Sequence, residues 1–196
     1  MTVLVACEFS GVVRRAFAAK GHDAWSVDIV PSEDGSDHHL LGDALLCLDG
    51  SWDLVIAHPP CTYLTVAGAR WFKGREREQR DAIEFAEKLW GWESSQPRVA
   101  LENPIGVLST RSRLGKPTQI IQPWQFGHGE TKATCLWLRG LPKLVPTNVV
   151  EGREARIHRM SPGPNRSKER SRTYDGIAVA MAEQWGVERV ETEGMA

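Results

Sequence analysis

No apolar run in this chain approaches the ~20 residues that a membrane-spanning helix requires. The opening MTVLVACEF is interrupted by Glu8 too soon to act as a signal peptide. Cysteine is scarce: Cys7, Cys47, Cys61 and Cys135 form no CxxC pair and have no histidines at zinc spacing. Neither a disulfide framework nor a metal centre is expected, and His38-His39 lacks the partners a metal site needs. An excess of one charge is missing too. With 24 Lys+Arg against 25 Asp+Glu the formal net charge is −1, so contact with a polyanion must come from a local basic patch. Repeats and low-complexity tracts are absent. These gaps point to a soluble, cytoplasmic protein, and 41% apolar residues suffice for the core of one domain over residues 1–196.

What is present is an alternation of strand-like and helix-like segments. Residues 2–7 (TVLVAC), 25–30 (WSVDIV), 52–57 (WDLVIA), 98–101 (RVAL), 118–122 and 134–138 read as strands. Helical spacing appears from Val12 to Gly21, over Glu76 to Trp92 and over Ile177 to Gln184. The alternation predicts an α/β fold with a mostly parallel sheet and helices on both faces. In such sheets ligands sit beyond the carboxyl ends of the strands. The chemically unusual residues fall there: Glu8 to Gly11, Asp28, Asp43, His58 to Cys61, and Glu102-Asn103-Pro104. The stretch from about 139 to 171 is rich in proline, glycine and arginine and reads as an irregular basic excursion, not a second domain. Trp25, Trp52, Trp90 and Trp137 follow strand or helix patterns and read as core.

Several segments can carry chemistry. The Phe9-Ser10-Gly11 turn can bring backbone N–H groups to a cofactor at a helix N-terminus. Asp28 ends the second strand, where nucleotide-binding α/β folds place an acid for ribose hydroxyls; a turn or cap residue is the alternative. Asp43, in Gly42-Asp43-Ala44, has the same two readings, the ligand being an adenine amino group. In HPPCTYL (58–64), Pro59 and Pro60 end the strand and project Cys61, either as a nucleophile at a helix start or as a small buried side chain. In LENP (101–104), Glu102 stands at a neighbouring strand tip, either to bind the polar edge of a base or as an ion-pair or cap residue.

Taken in order, ACEFSG, VDI, GD, a strand followed by PPC, then LENP resemble the cytosine-5 DNA methyltransferases. FGHGETKATCLWL (126–138) and RTYDGIAVAMA (172–182) resemble that family's later elements, so the likeness runs from about residue 3 to residue 185. The resemblance implies a Rossmann-like fold, S-adenosylmethionine (SAM) as cofactor and DNA as partner. It assigns Cys61 to attack carbon 6 of cytosine, Glu102 to hold the ring nitrogen and amino group, and Lys132 as the one cation left of the family's Gln and two arginines. Phe9, Ser10, Gly11, Asp28, Ile29, Asp43 and Pro59 would line the cofactor pocket, and Pro60 and Asn103 would face the substrate.

The chain departs from the family pattern at Val12 and Val13, where further glycines are usual, and at Ile177, which aligns with an Asn. Glu130 and Thr134 align with the lost Gln and second arginine. No segment is long enough for a target-recognition domain, which implies relaxed sequence preference and suits a compact, phage-type enzyme; a dimer is one way to supply recognition surface. Arg153 and Arg156 in the basic excursion are candidate phosphate contacts, and Trp71 is a candidate base-stacking residue. Three alternatives stay open. The same chemistry can act on a free cytidine nucleotide; the fold can bind nucleic acid without catalysis; or an exocyclic amino group can be the methyl acceptor.

Overall fold

The computed structural model describes residues 1–91, 97–163 and 166–187, and for residues 70 and 71 the backbone alone. The β-branched opening run forms β1 (Thr2–Ala6), and Gly11, at φ 66°, turns the chain into α1 (Val12–Ala18). Glycine adopts that left-handed conformation without strain. Next come β2 (Asp23–Asp28), β3 (His39–Leu41) and β4 (Leu54–Ala57). α2 (Glu76–Trp90) has Glu76 and Glu78 in its first turn and Lys88 in its last, which complements the helix dipole. After it follow β5 (Val99–Pro104), the single turn α3 (Leu108–Arg111), β6 (Gln119–Ile121) and β7 (Thr134–Arg139). The short helices α4 (Arg156–Arg159) and α5 (Arg166–Ser171) lead into α6 (Asp175–Trp185).

The seven strands form one sheet in the order β3-β2-β1-β4-β5-β7-β6. The first five are mutually parallel, and β7 is antiparallel to both β5 and β6. With β7 set aside the order is 3-2-1-4-5-6, that of a doubly wound nucleotide-binding sheet. The architecture is therefore α/β with a mostly parallel, mixed sheet, compatible with a Rossmann-like fold.

Alternation along the strands divides the core into two layers. Val3 and Val5 join Leu54, Ile56, Ala100 and Leu136 beneath α1 and α6, where Phe17 and Trp185 are fully buried. Leu4 and Ala6 join Val55, Ala57, Leu101 and Trp137 beneath α2. Trp90 and Trp137 lie inside this second layer, with Trp25 and Trp52 packed at its margin. Strands covered on both faces read as continuous apolar runs, which is why β1 and β4 stand out in the sequence.

Three expected boundaries need correction. β2 stops at Asp28, so Ile29 and Val30 lie beyond it and are exposed. β5 does not end at Leu101, because β7 pairs with it as far as Pro104 opposite Thr134. The excursion at 139–171 is not irregular throughout: it contains α4 and α5, buries Leu144 and Ile157, and is held by the bridges Phe126–Asn148 and Glu130–Glu154. Those anchors are long-range and have no local periodicity. Among the described residues no helix is long and apolar enough to cross a membrane.

Gly176, in the first turn of α6, donates its N–H to His128 Nε2 at 3.0 Å. A Cβ there would stand 1.8 Å from the Phe126 carbonyl oxygen. Gly176→Ala must push α6 off the 126–128 turn and is expected to lower the unfolding free energy by about 1–3 kcal/mol. Urea titration checks this; an unchanged midpoint would mean that α6 absorbs the displacement without cost.

Candidate active site

The carboxyl ends of β1, β4 and β5 lie side by side, at the point where the strand order reverses. Two adjoining cavities open there. The smaller, of about 70 Å³, is lined by Glu8, Ser10, His58, Pro59, Cys61, Glu102, Lys132 and Arg170, among others. The larger, a cleft of about 1350 Å³, runs from Cys61, Pro60 and Lys132 to Asp28, Ile29 and Asp43. A single small-molecule site occupies ~300–1,000 Å³, so the cleft has room for two ligands side by side.

Cys61 is aimed by the proline pair before it and by one buried amide. Asn103, 1% exposed, donates from Nδ2 to the Pro59 carbonyl at 2.8 Å and so ties β5 to the turn after β4. Asn103 lines neither cavity; in place of the expected substrate contact it braces the loop that carries Cys61. Cys61 does not begin a helix. Its carbonyl accepts the N–H groups of Leu64 and Thr65, each at 3.0 Å, in a tight turn that precedes the 3₁₀ turn Val66–Trp71. No helix N-terminus is there to favour the thiolate. Burial pushes the Cys61 thiol above its ordinary range and the Glu102 charge adds to this, while Lys132 and Arg170 pull the other way.

Glu102 would be driven up by burial, but His58, Lys132 and Thr134 outweigh that and hold its carboxyl below the usual range. His58 Nδ1 lies 3.4 Å from Glu102 Oε2. Lys132 is fixed by donating from Nζ to the Arg172 carbonyl at 3.1 Å, and it sits 5.8 Å from the centre of the Tyr174 ring. Cys61, Glu102 and Lys132, which belong to three separate segments, thus meet at one cavity.

The other end of the cleft carries the candidate cofactor residues. Asp28 is half-buried; burial raises its pKa against the opposing effect of the Val30 N–H, which it accepts at 3.0 Å. Ile29 is 79% exposed. Asp43 accepts the Leu45 N–H at 2.9 Å, capping the turn Ala44–Cys47, and also lines the cleft. Phe9 lines both cavities and Ser10 the smaller, but Gly11 lines neither. The expected N–H cradle at α1 is already taken: Glu8 accepts the Val13 N–H at 2.6 Å and the Arg14 N–H at 3.1 Å. The space over Gly11 is filled by Arg14, Arg15 and Asp34. At the strand end before this turn, Cys7 is held at φ 61°, a conformation that costs a non-glycine residue ~1–3 kcal/mol and marks a built site. Burial, with Asp28 and Asp43 nearby, pushes the Cys7 thiol up to about 12.

Two candidate phosphate contacts are also redirected. The Arg153 guanidinium lies 3.9 Å over the Trp124 ring, and Arg156 pairs with Glu130 at 2.9 Å; neither lines the cleft. Arg166 and Arg170 of α5 line it instead. Sequence reasoning places these arginines in the same basic stretch but has no signal to rank them, because α5 is positioned from a distance. Lys168 and Arg172 each pair with Glu33, at 2.6 Å, across the site from their own segment. Trp71 ends the 3₁₀ turn, and its side chain lies outside the described residues. No protein-family model and no curated protein matches the chain.

Lys132 is the nearer test of this electrostatic arrangement. Lys132→Met removes a charge that lowers the Cys61 pKa, so the pH midpoint for Cys61 alkylation should rise and the rate at neutral pH should fall several-fold. Iodoacetamide labelling resolved by peptide mass spectrometry reads this; an unmoved midpoint would place Lys132 outside the thiol's field.

Proposed function

We propose that the protein is a SAM-dependent methyltransferase acting on carbon 5 of cytosine in DNA, with Cys61 as covalent nucleophile and with relaxed sequence preference. One observation carries this reading: Cys61, Glu102 and Lys132 converge at a cavity that adjoins a cleft large enough for a second ligand. The far end of that cleft suits a nucleoside. Asp28 and Asp43 can accept from ribose hydroxyls and an adenine amino group, and the exposed Ile29 can cover a ring face. Bound SAM would supply an electrophilic methyl group.

The chain's own residues do the rest. Cys61, once deprotonated, forms an S–C6 bond with cytosine, which makes carbon 5 nucleophilic. Glu102 accepts from the amino group and, when it carries a proton, donates to the ring nitrogen, and Lys132 stabilises negative charge as it develops. Transfer of the proton at carbon 5 to a water molecule in the cleft, with re-formation of the C5–C6 double bond and cleavage of the S–C6 bond, returns Cys61 to its starting state. A cytosine in a duplex must be flipped out to reach Cys61. Arg166 and Arg170 are the cations suited to the flanking phosphates. Only the α4–α5 segment stands where a recognition domain would, which supports relaxed preference.

The same segment favours a second reading, a free cytidine nucleotide as substrate. α4 and α5 wall the cleft through Ile157, His158, Arg166 and Arg170, and Glu33 ties the end of that wall down.

Trapping distinguishes these readings. Protein, SAM and DNA containing 5-fluorocytosine should give a shifted band on a denaturing gel that disappears in Cys61→Ser, because fluorine cannot leave as a proton. A band with the fluorinated nucleotide alone would select the second reading, and no band with either would sink both. Separately, Asp28→Ala should weaken SAM binding by tenfold or more, about 1.4 kcal/mol. Calorimetric titration reads that change, and unaltered affinity would remove Asp28 from the cofactor site.

A further inference from the structure

The candidate reaction needs a group to take the Cys61 proton, and none of the residues assigned above does so. The sheet register supplies one. Ala57 is paired with Ala6 of β1 and Leu101 of β5, and His58 follows directly where that pairing stops, with Glu102 following Leu101 on the neighbouring strand. The His58 N–H continues the ladder by donating to the Ala6 carbonyl at 2.9 Å, which fixes the backbone from which the imidazole projects. The side chain is 10% exposed. Nδ1 faces Glu102 Oε2 at 3.4 Å, while Nε2 is buried without a hydrogen-bond partner. Buried polar atoms are rarely left unpaired, so an orphaned imidazole nitrogen beside a nucleophile calls for a role. His58 lines the same 70 Å³ cavity as Cys61, and that volume is sufficient for a bridging water.

We infer that Cys61, His58 and Glu102 form a nucleophile–base–orienter relay, in which His58 Nε2 takes the Cys61 proton through a water in the shared cavity and Glu102 orients the imidazole through Nδ1. Nucleophile, base and a third group that orients the base are the usual parts of an activated nucleophile. For its substrate step the relay rests on the proposed cytosine reading. The proton leaves sulfur for Nε2 as the S–C6 bond forms, the ring tilting to bring Nε2 to the cavity surface. The Nδ1 proton passes to Glu102 and on to the ring nitrogen of cytosine, so His58 ends neutral and one proton has moved from sulfur to the base. Elimination runs the relay backwards.

The imidazole's surroundings suit a transient positive charge. Glu8, from the turn before α1, and Glu102, from β5, act on it from two sides, and burial of Glu8 raises that carboxyl's pKa against the opposing effect of His58. Cys7, just beyond β1, lines the same cavity. Lys132, Arg170 and Arg172 face the same cavity from the approaches to β7, from α5 and from the approach to α6, and they limit how long the imidazolium persists.

The test is the pH dependence of Cys61 alkylation in the intact protein, beside trapping on 5-fluorocytosine DNA. In the unaltered protein the alkylation profile should show a limb below the thiol's own titration. His58→Asn keeps a donor towards Glu102 but cannot relay, so that limb should vanish and the rate near pH 7 should fall at least about tenfold. Trapping should fall with it and recover as the pH rises. A purely structural role would lower the yield of folded protein without removing the limb. Histidine nitrogen NMR of the unaltered protein gives a second readout that does not depend on the variant folding: Nε2 should lack a proton, and the opposite tautomer overturns the relay. If the limb moves but no adduct ever forms, the relay stands and the cytosine reading fails. If the limb is identical in both proteins, the relay fails whether or not an adduct forms.

Discussion

Pairing of β4 with β1 on one side and β5 on the other stops at Ala57, and the polar chemistry of the chain begins one residue later. Up to that point, from Val3, Leu54 and Val99 onward, the three strands are apolar and buried from both faces, and allow no polar side chain without a partner. Beyond it β1 and β4 leave the sheet while β5 pairs on with β7, and His58, Cys61 and Glu102 line one cavity. Pro59 and Pro60 enforce the exit from β4, and the Asn103 amide fixes its direction by holding the Pro59 carbonyl. The site's geometry is thus a property of where the central strands stop.

Burying acids at this edge requires compensation, and the structure provides it locally. Glu8 occupies the N-terminus of α1, with both oxygens on backbone N–H groups, a position that the helix dipole also favours. Glu102 is held ionised by His58, Lys132 and Thr134 in spite of its burial. At Cys61 the pull of Lys132 and Arg170 is outweighed by burial and the Glu102 charge, so the thiol stays above its ordinary range. One edge of the sheet therefore holds a carboxylate shifted down, a thiol shifted up, and an imidazole beside the carboxylate. Surface ion pairs such as Lys88–Glu84 add little to stability by comparison.

The segment from Gly140 to Arg172 decides how much of this edge is open. It leaves the sheet at β7, is pinned at Asn148 and Glu154 by single bridges, and returns along the cleft as α4 and α5. Two cations near its end meet one carboxylate, Glu33, in the loop between β2 and β3. One wall of the cleft is therefore formed by the short helices α4 and α5, and Arg166 and Arg170 line it from α5.

The sequence by itself determined the layering and the location of the site. Continuous apolar strands, helices with apolar faces and prolines at strand ends are local signals, and they marked β1, β4, α1, α2 and α6 along with Cys61 and Glu102. β3, the single helical turns and the reversed pairing that extends β5 through Pro104 gave no such signal, because each depends on a partner strand or a distant loop. The same limit applies to side chains. Asn103, Arg153 and Arg156 have the residue types a substrate site uses, yet a carbonyl 44 residues away, a tryptophan ring and a carboxylate claim them first. Only the tertiary structure could show that α1's free N–H groups were already spent on Glu8, or that strand register sets His58 against Glu102. Register and long-range pairing are decided by which groups remain unpaired when the whole sheet has formed, and no short window of sequence contains that information.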